Sequence, residues 1–138
     1  MKRLTKTQFY ILSFTWGLIM TLIGCCAAAC FIIAGYRPSR NQYGWVFKFG
    51  KGWGGLNLGI FSFVSESAST HTLNHEFGHS IQNCYFGPFM ILIALASVVR
   101  YHYRNLMYKL GKDATLPPYD SIWFEGDATR IGEYYYNN

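Results

Sequence analysis

The chain has 138 residues, a length that favours one domain covering 1–138. It is 51% hydrophobic, 19% aromatic and only 14% charged, where soluble domains carry about 25% charged residues. That balance argues against an ordinary soluble domain with a broad charged surface. The net charge of +5 comes from basic residues spread along the chain rather than gathered in a tract, so no nucleic-acid partner is expected.

The composition predicts a mainly α membrane protein. Between Lys6 and Arg37 there is no charged side chain, and Phe9 to Ala34 is almost entirely apolar. At about 1.5 Å per residue, a helix over 7–35 exceeds the roughly 30 Å hydrocarbon core, so it is read as a transmembrane helix in a lipid bilayer. Lys2, Arg3 and Lys6 on one side, and Tyr36, Arg37 and Arg40 on the other, supply interfacial anchors. Leu22-Ile23-Gly24-Cys25 resembles a bacterial lipoprotein cleavage box, but the residues after Cys25 are apolar, whereas lipoprotein tethers are polar. Cys25, Cys26, Cys30 and Cys84 show no metal-ribbon or redox spacing and are read as free thiols used in packing.

A β-hairpin is expected over 43–64, with Trp45–Phe49 and Leu56–Val64 as strands and Gly50–Gly55 as the turn. A helix follows over 69–85, capped by Ser67, Ser69 or Thr70 and ended or kinked by Gly87-Pro88. A second apolar helix, 86–104, either spans or re-enters, since its strongly apolar part ends at Val99. Pro117-Pro118 precede a C-terminal helix over 119–135, whose Tyr134-Tyr135-Tyr136 run is read as interfacial or packing.

Chemistry concentrates on His75-Glu76-Phe77-Gly78-His79. Two histidines four residues apart on a helix share one face, where both imidazoles can hold one tetrahedral Zn²⁺. Glu76 beside the first is then placed to act on water rather than on the metal, as general base. A catalytic zinc needs a third protein ligand and an open position. The region in which one zincin class places a third His holds Asn83, Cys84 and Tyr85, and 86–99 contains no acid. A downstream carboxylate remains. Glu125 is the candidate, with Ala128 and Gly132 on its helix face and Gly78 as a matching small residue on the other helix. Asp127 and Glu133 are rival third ligands, and His71 is a candidate fourth ligand or supporting donor. Tyr85, Tyr101, His102 and Tyr103 are candidate donors to an oxyanion, and Ser97 and Arg100 a candidate pair.

His75 to His79, followed by Glu125-x-x-Ala128-x-x-x-Gly132, resembles the membrane gluzincins of the prenyl-protein and heat-shock-induced protease type. His75 to Gln82, Gly87-Pro88 and Trp123 to Gly132 also resemble small bacterial membrane proteins with an H-E-[FY]-G-H-[ST]-I-Q motif. The resemblance implies Zn²⁺ on His75, His79 and Glu125, with Glu76 as base. It implies hydrolysis of peptide or membrane-protein substrates in a bacterial cytoplasmic membrane, with a homo-oligomer or partner subunit allowed. The larger family has Asp where this chain has Thr129; that Asp orients a zinc-bound histidine, and Asp120 or Asp127 is the candidate substitute here. The alternative function is a non-hydrolytic zinc-binding membrane protein with a regulatory or assembly role.

Overall fold

The computed structural model describes residues 2–138. It is mostly helical, with five α-helices and a small four-stranded sheet. The helices are α1 (Lys6–Phe14), α2 (Leu18–Ile33), α3 (Thr70–Phe86), α4 (Met90–Lys109) and α5 (Trp123–Asn137).

The expected single helix over 7–35 is instead two. α1 and α2 meet at 93° across Thr15–Gly17. Composition gives little sign of this, because no charged residue and no proline interrupts 7–35. The break is fixed from outside, by α3. Asn83 Nδ2 donates to the Gly17 carbonyl at 3.1 Å, and Trp16 Nε1 donates to the Tyr85 carbonyl at 3.0 Å. Within the turn, Thr15 Oγ1 donates to the Ile11 carbonyl. α2 alone is about 24 Å long, short of the hydrocarbon thickness.

The sheet also departs from the expected hairpin. Its strands are β1 (Ser39–Asn41), β2 (Gly44–Lys48), β3 (Gly55–Leu58) and β4 (Phe61–Val64), in the order β1-β2-β4-β3. Trp45–Phe49 and Leu56–Val64 do not pair across Gly50–Gly55. The second run folds on itself at Gly59-Ile60, so that β3 and β4 are antiparallel, with Leu58 opposite Phe61. β4 then lies parallel to β2, with Trp45 opposite Phe61. Gly59 makes this turn possible: its φ is 69°, and a Cβ there would lie 2.6 Å from Thr21 Cα. β3 is left as a sheet edge.

α3 begins close to the expected point, with Ser69 as N-cap accepting from the Thr72 N–H. Every residue from Asn74 to Cys84 is buried, as in a helix surrounded on all sides. Its apolar members, Phe77, Ile81 and Cys84, pack with Phe9, Ile131 and Tyr135. Tyr135 is thus a core residue, and its hydroxyl accepts the Leu4 N–H at 2.7 Å. The buried polar members are largely paired, as burial demands; Ser80, for example, accepts from Asn57 Nδ2 at 2.7 Å.

α3, the Gly87–Phe89 turn and α4 form one helical run of 40 residues, the only one among the described residues long and apolar enough to cross a membrane. It is not a straight rod. A straight α-helix would hold His71 and Tyr108 about 55 Å apart, yet both line one cavity. Gly87, with φ 55°, turns the chain, and α4 doubles back along α3. α4 starts and ends later than the expected 86–104. Its charge-free part, Met90–Val99, is about 15 Å long, half a bilayer. Leu92, Leu95, Val99, Tyr103 and Leu106 form one exposed stripe along it at three- and four-residue steps. Leu22, Ile23 and Ile33 are exposed on α2.

α5 packs directly on α3. A Cβ on Gly78 would collide with the Ala128 carbonyl, and one on Gly132 with the Asn74 carbonyl. The small residues at these positions allow the backbones to close, which brings Glu125 onto the histidine face.

Candidate metal centre

His75, His79 and Glu125 converge as the sequence predicts. Each offers a ligand atom, and these atoms all lie within 4.8 Å of one another. Glu125 Oε2 is 3.0 Å from His75 Nε2 and 3.2 Å from His79 Nε2. Ligands held tetrahedrally at 2.0–2.1 Å from a zinc ion would be about 3.3–3.4 Å apart. The group is therefore already near metal-binding spacing.

The surrounding hydrogen bonds decide which atoms carry protons. Thr129 Oγ1 donates its one proton to Asp120 Oδ2 at 2.7 Å. It can then only accept from His75 Nδ1, 2.8 Å away. Gln82 Nε2 donates to the Phe124 carbonyl at 2.8 Å and to Asp127 Oδ2 at 3.2 Å, which turns Gln82 Oε1 towards His79 Nδ1 at 2.8 Å. Both imidazoles thus hold a proton on Nδ1 and point an Nε2 lone pair at Glu125. This tautomer assignment follows from the donor and acceptor network. Three acceptor atoms face each other, and only a cation or an added proton between them relieves the repulsion.

Glu125 sharpens that requirement. It is 1% exposed, and a buried carboxylate without a counter-charge costs several kcal/mol, an order-of-magnitude figure. Burial would raise its pKa, but its contacts with His75, His79 and Ser97 outweigh burial and hold the carboxyl well below the ordinary range. Ser97 Oγ donates to Glu125 Oε1 at 2.6 Å, which orients the carboxylate. The expected Ser97–Arg100 pair does not form. Arg100 instead donates to the Pro118 carbonyl at 3.2 Å.

Glu76 stands beside this group but outside it. It is buried, and its Oε2 has no hydrogen-bond partner. Gly55 on β3 lies against it; a Cβ there would sit 2.6 Å from Glu76 Oε1. A cavity of about 370 Å³ opens over His75 and Glu76, walled by Tyr101, Arg104 and Tyr119. The donor set, its spacing, the unpaired carboxylate oxygen and the adjoining cavity all fit Zn²⁺ with an open coordination position.

The other sequence candidates fall elsewhere. Asp127 supports Gln82 and pairs with Arg130. Glu133 lies 3.8 Å from His71, with both side chains more than half exposed. His71 lines the cavity but lies outside the ligand group. Tyr85 is remote, its hydroxyl donating to the Lys2 carbonyl. Tyr101 and His102 reach the cavities beside the site, whereas Tyr103 is on the exposed stripe.

The sequence marks neither Gln82 as the support of His79 nor Tyr119 as part of the site. Tyr119, in the short 3₁₀ turn Tyr119–Ser121, lines all three cavities around the site. Its ring centroid lies 6.1 Å from that of His75. The guanidinium groups of Arg100 and Arg104 stand 4.9 Å and 5.6 Å from its ring centroid. Arg104 also donates to the Pro117 carbonyl at 2.7 Å, so α4 clamps this turn from two sides. Burial, then the nearby Glu125 and Glu76 carboxylates, push the Tyr119 pKa well above the ordinary tyrosine value, which keeps its hydroxyl a proton donor.

Asp120 thus reaches His75 through the Thr129 hydroxyl. Thr129→Val should lower zinc affinity about 10–100-fold, and Thr129→Ser should restore most of it. Competition with a chromophoric chelator measures both; equal affinity in Thr129→Val and wild type would remove Thr129 from the site.

Comparison with protein-family profiles, curated proteins and solved structures returned no match.

Proposed function

We propose that this chain is a membrane-embedded zinc peptidase of the gluzincin kind, with His75, His79 and Glu125 as ligands and Glu76 as general base. The observation that carries the reading is the junction of two features. Three convergent acceptor atoms suit a cation, and an unpaired buried carboxylate faces the same cavity. A structural zinc site needs only the first.

Bound Zn²⁺ supplies Lewis acidity, lowering the pKa of water and polarising a substrate carbonyl. Glu76 takes the proton from the attacking water and later gives it to the leaving amine. Tyr119 donates to the oxyanion that develops on the carbonyl. The Asp120–Thr129 and Gln82 relays hold the two imidazoles in the tautomer the metal needs. β3, an edge strand beside Glu76, pairs with an extended substrate backbone at its exposed Gly55–Leu56 end.

The bilayer contacts the exposed apolar residues of α2 and the α4 stripe. The α3–α4 hairpin enters the membrane without crossing it as one rod, because the charge-free part of α4 is only half a bilayer long.

Zinc stoichiometry of the detergent-purified protein, joined to a broad peptide-cleavage screen, tests this function. One zinc per chain and chelator-sensitive cleavage are expected; a metal-free protein after zinc supplementation would sink the proposal. Tyr119→Phe should retain zinc and KM while kcat falls about 10²–10³-fold, the usual cost of one oxyanion donor. An unchanged kcat would exclude Tyr119 from that role.

A further inference from the structure

The groove beside the centre changes chemistry along its length. The Gly55 end of β3 borders the larger cavity, whose opposite wall carries Arg104, Asn105 and Tyr108, with His71 and Thr72 alongside. The Leu58 end of β3 packs instead against the cluster of Met20, Met90, Ile93 and Phe124. Between these ends, Leu56, Met90, Ile93 and Ala94 line a narrow gap beside His79 and Glu125. A side pocket of about 200 Å³ is lined by Trp53, Leu56, Val98, Tyr101 and His102.

α4 shows the same change within one helix. From Met90 to Ala96 every side chain is apolar, and from Arg100 onward Arg, His and Asn recur among tyrosines. Ser97, at the changeover, donates to Glu125 Oε1. The ligand group therefore sits at the level where the groove passes from apolar to polar.

Resting on the hydrolytic reading above, we infer that the substrate is an extended polypeptide cut at the junction of an apolar run and a polar run, as at the edge of a membrane-embedded segment. The exposed Gly55–Leu56 end of the sheet edge would recognise backbone rather than one side-chain sequence. The exposed Leu56 and Val98 side chains would stay unsatisfied by a wholly polar peptide, and the Arg104–Asn105 end by a wholly apolar one. Zinc at the changeover puts the reacting carbonyl between the two.

The test uses the full chain in detergent, zinc-loaded, with three peptide libraries sharing a randomised centre. One set joins an apolar flank to a polar flank, one is polar throughout and one is apolar throughout. Wild type should cleave junction peptides with kcat/KM about 10–100-fold above the polar set. The same peptides, fluorescently labelled, should bind Glu76→Gln protein with the same ranking by anisotropy. Leu56→Asn should narrow the junction-over-polar ratio. Val98→Asn, at a second exposed wall position, should narrow it too and guards against a folding failure at Leu56. Cleavage of junction and polar peptides at equal rates would overturn the inference and leave the peptidase standing. Preferential binding of junction peptides with no cleavage of any peptide would support the groove's selectivity and overturn the peptidase. Equal binding without cleavage would overturn both.

Discussion

Glu76→Gln should keep one zinc per chain and lose peptide hydrolysis by about 10²–10⁴-fold, the range for removing a general base. The expectation of retained zinc comes from placement. Glu76 is absent from the ligand group formed by His75, His79 and Glu125. Its Oε2 bonds nothing, so exchange for an amide breaks no hydrogen bond at that atom. Gln also matches Glu in size where Gly55 lies against it. The loss of turnover follows from chemistry alone, because an amide cannot accept the water proton near neutral pH. Metal analysis and cleavage rates on the same preparation read both halves. A variant that cleaves like wild type would falsify the role of Glu76. One that loses its zinc would instead move Glu76 into the ligand set and leave the base unassigned.

The site was more legible in the sequence than the scaffold around it. The i, i+4 histidines need only a helix to share a face, and α3 is a helix with clear ends. Gly78, Ala128 and Gly132 announced a close helix crossing, and the crossing brings Glu125 to the histidines. Gln82 stands three residues after His79, so helical spacing could have marked it as that ring's support. Asp120 was one of two acids expected to support a histidine, whereas Tyr119 had no comparable signal. Its turn is held by Arg100 and Arg104 from α4, a contact between elements that local pattern does not encode. The break at Thr15–Gly17 was invisible for the same reason, since its cause is Asn83 and Tyr85 on another helix. In the sheet, strand-forming residues were recognised but partners were not. Alternation over Leu56–Val64 hid the turn at Gly59-Ile60, and parallel pairing of β2 with β4 depends on that turn.

Glu125→Gln separates a metal centre from a buried ion-pair network. In an ion-pair reading, protonated imidazoles bond to the carboxylate, and replacing a buried charge partner is strongly destabilising, by about 3–5 kcal/mol. In the metal reading, both Nδ1 protons are committed to Thr129 and Gln82, and the Nε2 atoms face Glu125 as lone pairs. An amide at 125 then offers N–H donors to those lone pairs. The metal-free variant should unfold within about 1 kcal/mol of metal-free wild type, the scale of one net hydrogen bond. Its response to zinc should vanish. Wild type with zinc at about 1,000 times Kd gains about 4 kcal/mol of stability by mass action. A neutral amide is a poor zinc ligand, so the variant should show no zinc-dependent rise in melting temperature. Thermal unfolding at pH 8, with and without zinc, distinguishes the two. A large loss of metal-free stability together with an unaltered zinc response would mean that Glu125 holds charged histidines and that the metal, if bound, sits elsewhere. The expected result, an intact fold deaf to zinc, would tie the most deeply buried acid of the site to the metal rather than to the scaffold.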